Sequence, residues 1–216
     1  MSQKFKIIRD YYDQGEKIFP KSTIQLEPGL TILIGCNGSG KTTLLRQLKG
    51  QCHELGVPVF TYDNYNEGGH SATNYAGFTG NYERVAQDIM SSEGEKISNN
   101  INDLAAKVGA FVRKNKDAEK IFILLDAIDS GYSVDNVVEL KQDFFRFVIN
   151  DCAKNGIELY IVVSANEYEL ARGEACFDVS VCKYIEIGSY EEYRAVVIES
   201  RKKKNKRYGW AEFEYK

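Results

Sequence analysis

The pattern G-x-x-x-x-G-K-[ST] is matched at every fixed position by Gly35-Cys36-Asn37-Gly38-Ser39-Gly40-Lys41-Thr42. It lies between the apolar run at residues 30–34 and a segment, residues 42–49, whose leucines have helical spacing. Glycines let the backbone turn so that successive N–H groups face phosphate oxygens, and the following helix adds the positive end of its dipole. In such a loop Lys41 reaches the β- and γ-phosphates, and the Thr42 hydroxyl binds Mg²⁺. The stretch therefore predicts a phosphate-binding loop between a strand and a helix.

Composition bounds the size and location of the protein. The chain has 216 residues, 43% of them hydrophobic, and a formal net charge of −3, which predicts one compact domain without a strongly basic surface. Its five cysteines form no C-x-x-C pair and lie among aliphatic residues, a pattern typical of reduced thiols inside the cell. The sequence shows neither a signal peptide nor an apolar run long enough to span a membrane. We therefore expect a cytoplasmic protein without a membrane segment.

Apolar runs alternate along the chain with segments of helical periodicity. The predicted strands are residues 5–8, 23–26, 30–34, 57–62, 121–125, 159–163 and 183–187. The predicted helices are residues 42–49, 82–90, 97–112, 143–154 and 190–206. Continuous apolar runs such as 121–125 are typical of strands buried on both faces of a parallel sheet. The alternation predicts an α/β fold with a mostly parallel sheet flanked by helices.

The phosphate loop also matches a narrower pattern. With Thr43 it reads G-C-N-G-S-G-K-T-T, which resembles the loop of ABC transporter, SMC, Rad50 and RecF-type ATPases. The resemblance implies a P-loop head that binds ATP and Mg²⁺ and forms a homodimer, head to tail, with ATP between the two copies. The phosphate contacts that it implies come from Asn37, Gly38, Ser39, Gly40, Lys41, Thr42 and Thr43.

The same resemblance divides the single domain, residues 1–216, into approximate lobes. It assigns the nucleotide-binding core to residues 1–65 and 116–190, and a long loop with a small helical lobe to residues 66–115. A basic helix and tail occupy residues 191–216. The segment between the lobe that holds the phosphate loop and the signature-like residues 91–95 is too short for a long coiled coil and lacks sustained heptads, so the chain resembles a stand-alone head without arms.

Two segments after the loop resemble the motifs that complete such a site. Asp126, at the end of the apolar run 121–125, resembles the Walker B aspartate that orients Mg²⁺ and its waters. A helix-capping aspartate is the alternative. Residues 129–135 resemble the D-loop, which touches the partner subunit.

A short motif between the two Walker sequences resembles the ABC signature. It reads Ser91-Ser92-Glu93-Gly94-Glu95. The resemblance implies that Ser92, Gly94 and Glu95 meet the γ-phosphate held by the opposite copy. The alternative is an N-cap followed by a turn.

Two positions depart from the family's pattern. The glutamate that follows the Walker B aspartate and acts as general base is Ala127 here, and alanine cannot accept a proton. Asp129 is then the nearest alternative base. The switch histidine after the next strand is replaced by Ala165, or by Asn166 if the match slips by one residue. The preserved neighbours of Ala127 favour a deliberate Glu→Ala replacement over natural loss, and the sequence leaves both open.

Adenine recognition is less clear from the sequence. Tyr11 and Tyr12 lie where this family often has an aromatic side chain that stacks on the base, and packing at a strand end is the alternative. The glutamine expected after the strand at 57–62 is absent, and Asn64 or Asn66 could take its place.

Two classes of function are compatible with these features. The first is an ATPase whose dimer drives or gates a partner, with hydrolysis impaired by Ala127. The alternative is an ATP-dependent regulatory module with little turnover that controls a partner nuclease or toxin. A transporter ATPase, with its membrane segments on another chain, is a third reading. The basic run at residues 201–207 predicts a solvated helix end, with nucleic-acid contact as the alternative.

Overall fold

The computed structural model describes residues 2–12, 15, 17–64, 78–80, 82–83, 86 and 93–209. Two strands, β1 (Gln3–Lys6) and β2 (Thr23–Leu26), pair in antiparallel fashion. Six more form one sheet: β3 (Gly29–Ile34), β4 (Val59–Asp63), β5 (Lys120–Asp126), β6 (Glu158–Ser164), β7 (Ala175–Asp178) and β8 (Lys183–Ile185). The order across this sheet is β4-β5-β6-β3-β7-β8. All its neighbouring pairs are parallel except β7 and β8.

Helices connect the parallel strands. They are α1 (Lys41–Glu54), α2 (Glu93–Lys114), α3 (Val134–Glu139), α4 (Arg146–Lys154), α5 (Tyr168–Ala171) and α6 (Tyr190–Arg207). A π-helical segment, Leu140–Phe145, joins α3 to α4. No helix within the described ranges is long and apolar enough to cross a membrane.

The core lies on both faces of the sheet because the strand side chains alternate. On β5, Ile121 and Ile123 pack with the apolar side of α2, whereas Phe122 and Leu124 pack with Leu44 and its neighbours on α1. Residues on both sides of the strand are almost fully buried, as expected for a parallel sheet covered by helices. The predicted α/β class, with a mostly parallel sheet flanked by helices, is confirmed.

Some element boundaries differ from the prediction. The helix expected at 143–154 begins earlier, at Val134, so the predicted D-loop, residues 129–135, ends inside α3. Strand β7 and helix α5 were not predicted, because each has only 4 residues and no clear periodicity. The long loop and most of the helix predicted at 82–90 lie outside the described residues. Helix α2 buries Leu104 and Val108 in the core cluster that contains β5.

Candidate nucleotide site

A cleft of about 550 Å³ opens where the phosphate loop meets the carboxyl ends of β5 and β6. Because β6 lies between β3 and β5, the loop that follows β3 and the residues that follow β5 come together at one edge. Ligands of open α/β sheets bind at this edge, and the volume is in the range of a small-molecule site.

The phosphate loop depends on glycine at a position where it passes close to another segment. Gly40 has φ 108°, in the left-handed region that disfavours residues with a Cβ. A Cβ there would also lie 2.9 Å from Cγ2 of Ile18 and 3.1 Å from Cε1 of Phe19. The glycine therefore permits both the backbone turn and the close packing that holds the loop in place.

Lys41 is buried, with 8% of the residue exposed, and its Nζ donates to the carbonyl of Gly35 at 2.8 Å. Burial lowers the pKa of this ammonium, while the charges of Cys36, Asp129 and Asp126 act in the opposite direction. A polyanion would therefore stabilise this buried ammonium better than the neutral carbonyl does. The hydroxyl of Ser39 is buried without a hydrogen-bond partner among the described residues, which fits a loop whose polar groups serve a ligand.

The carboxylate of Asp126 is held by a serine on the neighbouring strand. The hydroxyl of Ser164 donates to Oδ1 of Asp126 at 2.5 Å and accepts the N–H of Ala127 at 2.7 Å. Asp126 and Thr42 both line the cleft, so their oxygens could bind Mg²⁺ there, as the sequence predicts. Ser164 was not singled out from the sequence.

Ala127 lies between these groups in a strained conformation. It is a buried residue that lines the cleft, and its φ is 52°, rare for a residue with a Cβ. Its N–H is bound by Ser164. The position where the ATPases that the phosphate loop resembles have a general base therefore borders the cleft and carries only a methyl group.

Asp129 is 1% exposed and binds backbone N–H groups. Its Oδ2 accepts from the N–H of Asn166 at 2.7 Å and from that of Glu167 at 2.8 Å. Burial raises the pKa of Asp129, and these bonds oppose the rise. A carboxylate engaged in this way positions the loop after β6, and Asp129 is not among the residues that line the cleft. The geometry does not favour the predicted role of alternative base.

The loop that Asp129 holds brings two side chains to the cleft. Asn166 and Glu167 both line it and are exposed, and the carbonyl of Asn166 accepts from the hydroxyl of Tyr193 at 2.9 Å. Among the described residues that line the cleft, Asp126 and Glu167 carry the carboxylates. Sequence reasoning stopped at Asn166 and missed Glu167, although its position after a buried strand was a usable signal.

Tyr12 lies at the same cleft and is 51% exposed. Its hydroxyl is 3.1 Å from Oγ1 of Thr43, and its ring meets the Tyr11 ring edge-on, with centroids 5.2 Å apart. A ring fixed at both ends and still half exposed suits stacking on a planar base. Asn64, proposed as a substitute for the missing glutamine, donates to the carbonyl of Ser130 at 3.2 Å.

The predicted signature motif, residues 91–95, lies only partly within the described residues. Ser92 lies outside the described residues. Gly94 and Glu95 belong to the first turn of α2, where Glu95 is exposed.

The basic run at 201–207 ends helix α6 as predicted, but only part of it is solvated. Asn205 is buried, and Nζ of Lys204 donates to the carbonyl of Asn37 in the phosphate loop at 3.0 Å. Lys202 and Lys206 are exposed. The sequence could not distinguish these lysines, because the contact is formed with a segment far away in the chain.

Three features meet at this edge of the sheet: the strand before the phosphate loop, the helix after it, and the aspartate at the end of a nearby parallel strand. The fold is P-loop NTPase-like. No protein-family model matches the chain, and no curated protein sequence matches it either.

A solved structure described as a DNA replication initiation factor is similar over 85% of this chain, at 15% sequence identity and a TM-score of 0.35. The match covers 46% of that protein, so this chain spans about half its length.

Proposed function

We propose that the chain binds ATP with Mg²⁺ in this cleft and hydrolyses it slowly. The observation that carries the proposal is the buried Lys41, the first residue of α1, whose Nζ donates to the carbonyl of Gly35 at 2.8 Å. A cation beside the first N–H groups of a helix is suited to a polyphosphate. The phosphates would replace the Gly35 carbonyl as the partner of this ammonium.

The residues of the cleft also fit Mg²⁺. Among the described residues, no group of three or more His, Cys, Asp or Glu side chains could hold a metal, which a dedicated all-protein site would need. Mg²⁺ bound with a nucleotide needs only one or two protein oxygens besides phosphates and water. Thr42 and Asp126 would supply them, and Ser164 keeps the carboxylate of Asp126 oriented. When bound, Mg²⁺ neutralises charge on the phosphates.

Slow hydrolysis follows from the carboxylates that remain. Ala127 cannot take a proton, and Asp129 is buried and bonded to two backbone N–H groups. Glu167 is then the carboxylate left to accept a proton from the attacking water, because Asp126 serves the metal. Its exposure keeps it hydrated, so it is a weaker base than a carboxylate held inside the cleft would be.

The dimeric part of the proposal rests on the sequence resemblance. ATP would lie between two copies, with Ser92 of one copy facing the γ-phosphate held by the other. Light scattering with and without MgATP tests it: we expect a mass increase towards the dimer, and Ser92→Arg should prevent it. Equal masses for the wild-type chain in both conditions, both monomeric, would refute the sandwich.

A regulatory module with little turnover, controlling a partner such as a nuclease or toxin, is the second candidate. It is favoured by the same two observations, the methyl group at Ala127 and the bonded state of Asp129. The two candidate functions differ in the expected rate of ATP hydrolysis. Turnover far slower than exchange of bound ATP would support the module, whereas turnover that limits the lifetime of the dimer would support the ATPase.

Ligand-dependent stability tests nucleotide binding itself. At a concentration 100 times its Kd, MgATP should stabilise the fold by about 2.7 kcal/mol, which raises Tm by roughly 5–11 °C for a chain of this size. The shift should be smaller with EDTA, because the metal then no longer links Thr42 and Asp126 to the phosphates. No shift at millimolar MgATP would contradict the proposal.

A further inference from the structure

Helix α6 contacts the phosphate loop along one stripe of its surface. The hydroxyl of Ser200 accepts the N–H of Cys36 at 3.1 Å, and Nζ of Lys204 donates to the carbonyl of Asn37 at 3.0 Å. Tyr208, which caps the carboxyl end of the helix, lines the cleft. These positions are four residues apart, so they share one face of the helix.

The ammonium of Lys204 lies directly against the loop. A Cβ built on Gly38, whose φ is 77°, would be 2.8 Å from this Nζ and 3.1 Å from Cε. A residue other than glycine would therefore have to displace the lysine. The phosphate loop thus has a second cation beside it. Lys41 comes from the helix that follows the loop, whereas Lys204 comes from α6.

The chemistry of an ammonium group suits a phosphate at this place. It carries a full charge on a flexible stem, so Lys204 would reach a phosphate oxygen by turning from the carbonyl of Asn37 towards the cleft. Asn37 and Gly38 line the same cleft as Lys41, so a polyphosphate bound at Lys41 would extend along the segment that Lys204 touches.

We propose that Lys204 is a second phosphate-binding cation of the nucleotide site, which makes α6 responsive to bound polyphosphate. This rests on the proposed function, because it needs a polyphosphate in the cleft. Tyr208 lines the same cleft, directly after the end of the helix.

Calorimetric titration of MgATP and of AMP into four variants tests this. Lys204→Gln keeps a hydrogen-bond donor for Asn37 and removes the charge, and Lys204→Arg keeps both. Lys202→Gln is the matched control on the exposed side of α6, and Lys41→Ala tests the site itself. A charge-assisted bond contributes about 1.5–3 kcal/mol, so Lys204→Gln should weaken MgATP binding at least tenfold.

The expected affinities distinguish a lysine that contacts phosphate from one that only stabilises the loop. AMP binding should change less than threefold in Lys204→Gln, Lys204→Arg should recover most of the MgATP affinity, and Lys202→Gln should match the wild type. Equal losses for MgATP and AMP, or equal MgATP affinities for Lys204→Gln and Lys202→Gln, would overturn the inference. Unchanged MgATP binding in Lys41→Ala would instead refute the proposed function.

Discussion

Replacing Ala127 by glutamate should restore a general base at the cleft. Ala127 lines the cleft directly after Asp126, and its N–H is fixed by Ser164 at 2.7 Å. Its φ of 52° already carries the left-handed backbone cost of about 1–2 kcal/mol, and glutamate, which is also unbranched at Cβ, bears a similar cost. Ala127→Glu therefore adds a carboxylate without adding backbone strain.

The expected gain is large enough to measure with confidence. A positioned general base contributes about 10²–10⁴-fold, which is about 3–5 kcal/mol of activation free energy. Phosphate release under single-turnover conditions measures the chemical step apart from product release. Ala127→Gln is the matched control, because glutamine has nearly the same size and cannot act as a base.

The two variants should therefore differ. Ala127→Glu should hydrolyse ATP at least a hundredfold faster than the starting chain, and Ala127→Gln should stay near it, while both bind MgATP within a few-fold of the starting chain. If both variants hydrolyse ATP at the same rate, or if the chain with Ala127 already turns over at the rate of the glutamate variant, the assignment of the missing base is wrong.

Three further changes probe other parts of the site. Asp129→Ala leaves two backbone N–H groups unpaired and should lower the free energy of unfolding by about 2–4 kcal/mol. Tm should therefore fall by roughly 5–15 °C, and an unchanged Tm would refute the positioning role. Tyr12→Ala should weaken ATP binding about fivefold by loss of stacking, with Tyr12→Phe close to wild type, and equal affinities for both would exclude stacking. Glu167→Gln should lower the slow hydrolysis about tenfold or more without changing affinity, whereas Glu191→Gln, on the exposed first turn of α6, should not.

Much of the fold could be predicted because its strands have strong local signals. Residues 121–125 are apolar without interruption, and in the structure β5 is buried on both faces. The phosphate loop is similarly well determined, since Gly40 has both a left-handed φ and a close neighbour that exclude a side chain. Strand β7 was missed because its burial comes from pairing with β3, a contact that local sequence does not encode.

The site could be predicted where a motif fixes the backbone and not where the chain folds back on itself. Lys41 and Asp126 line the cleft as their motifs indicate. Lys204 is one of several lysines in a polar helix, and its contact with Asn37 joins residues 167 positions apart. The sequence suggested Asp129 as an alternative general base, because neither its burial nor its hydrogen bonds to backbone N–H groups can be inferred from the sequence.

The most direct test of the account is calorimetric titration of MgATP into the chain and into Lys41→Ala. The side chain of Lys41 donates to a loop carbonyl and contributes charge, so alanine should leave the fold intact by circular dichroism and abolish measurable binding. A folded Lys41→Ala variant with the affinity of the original chain would contradict the claim that this loop holds the phosphates of a nucleotide.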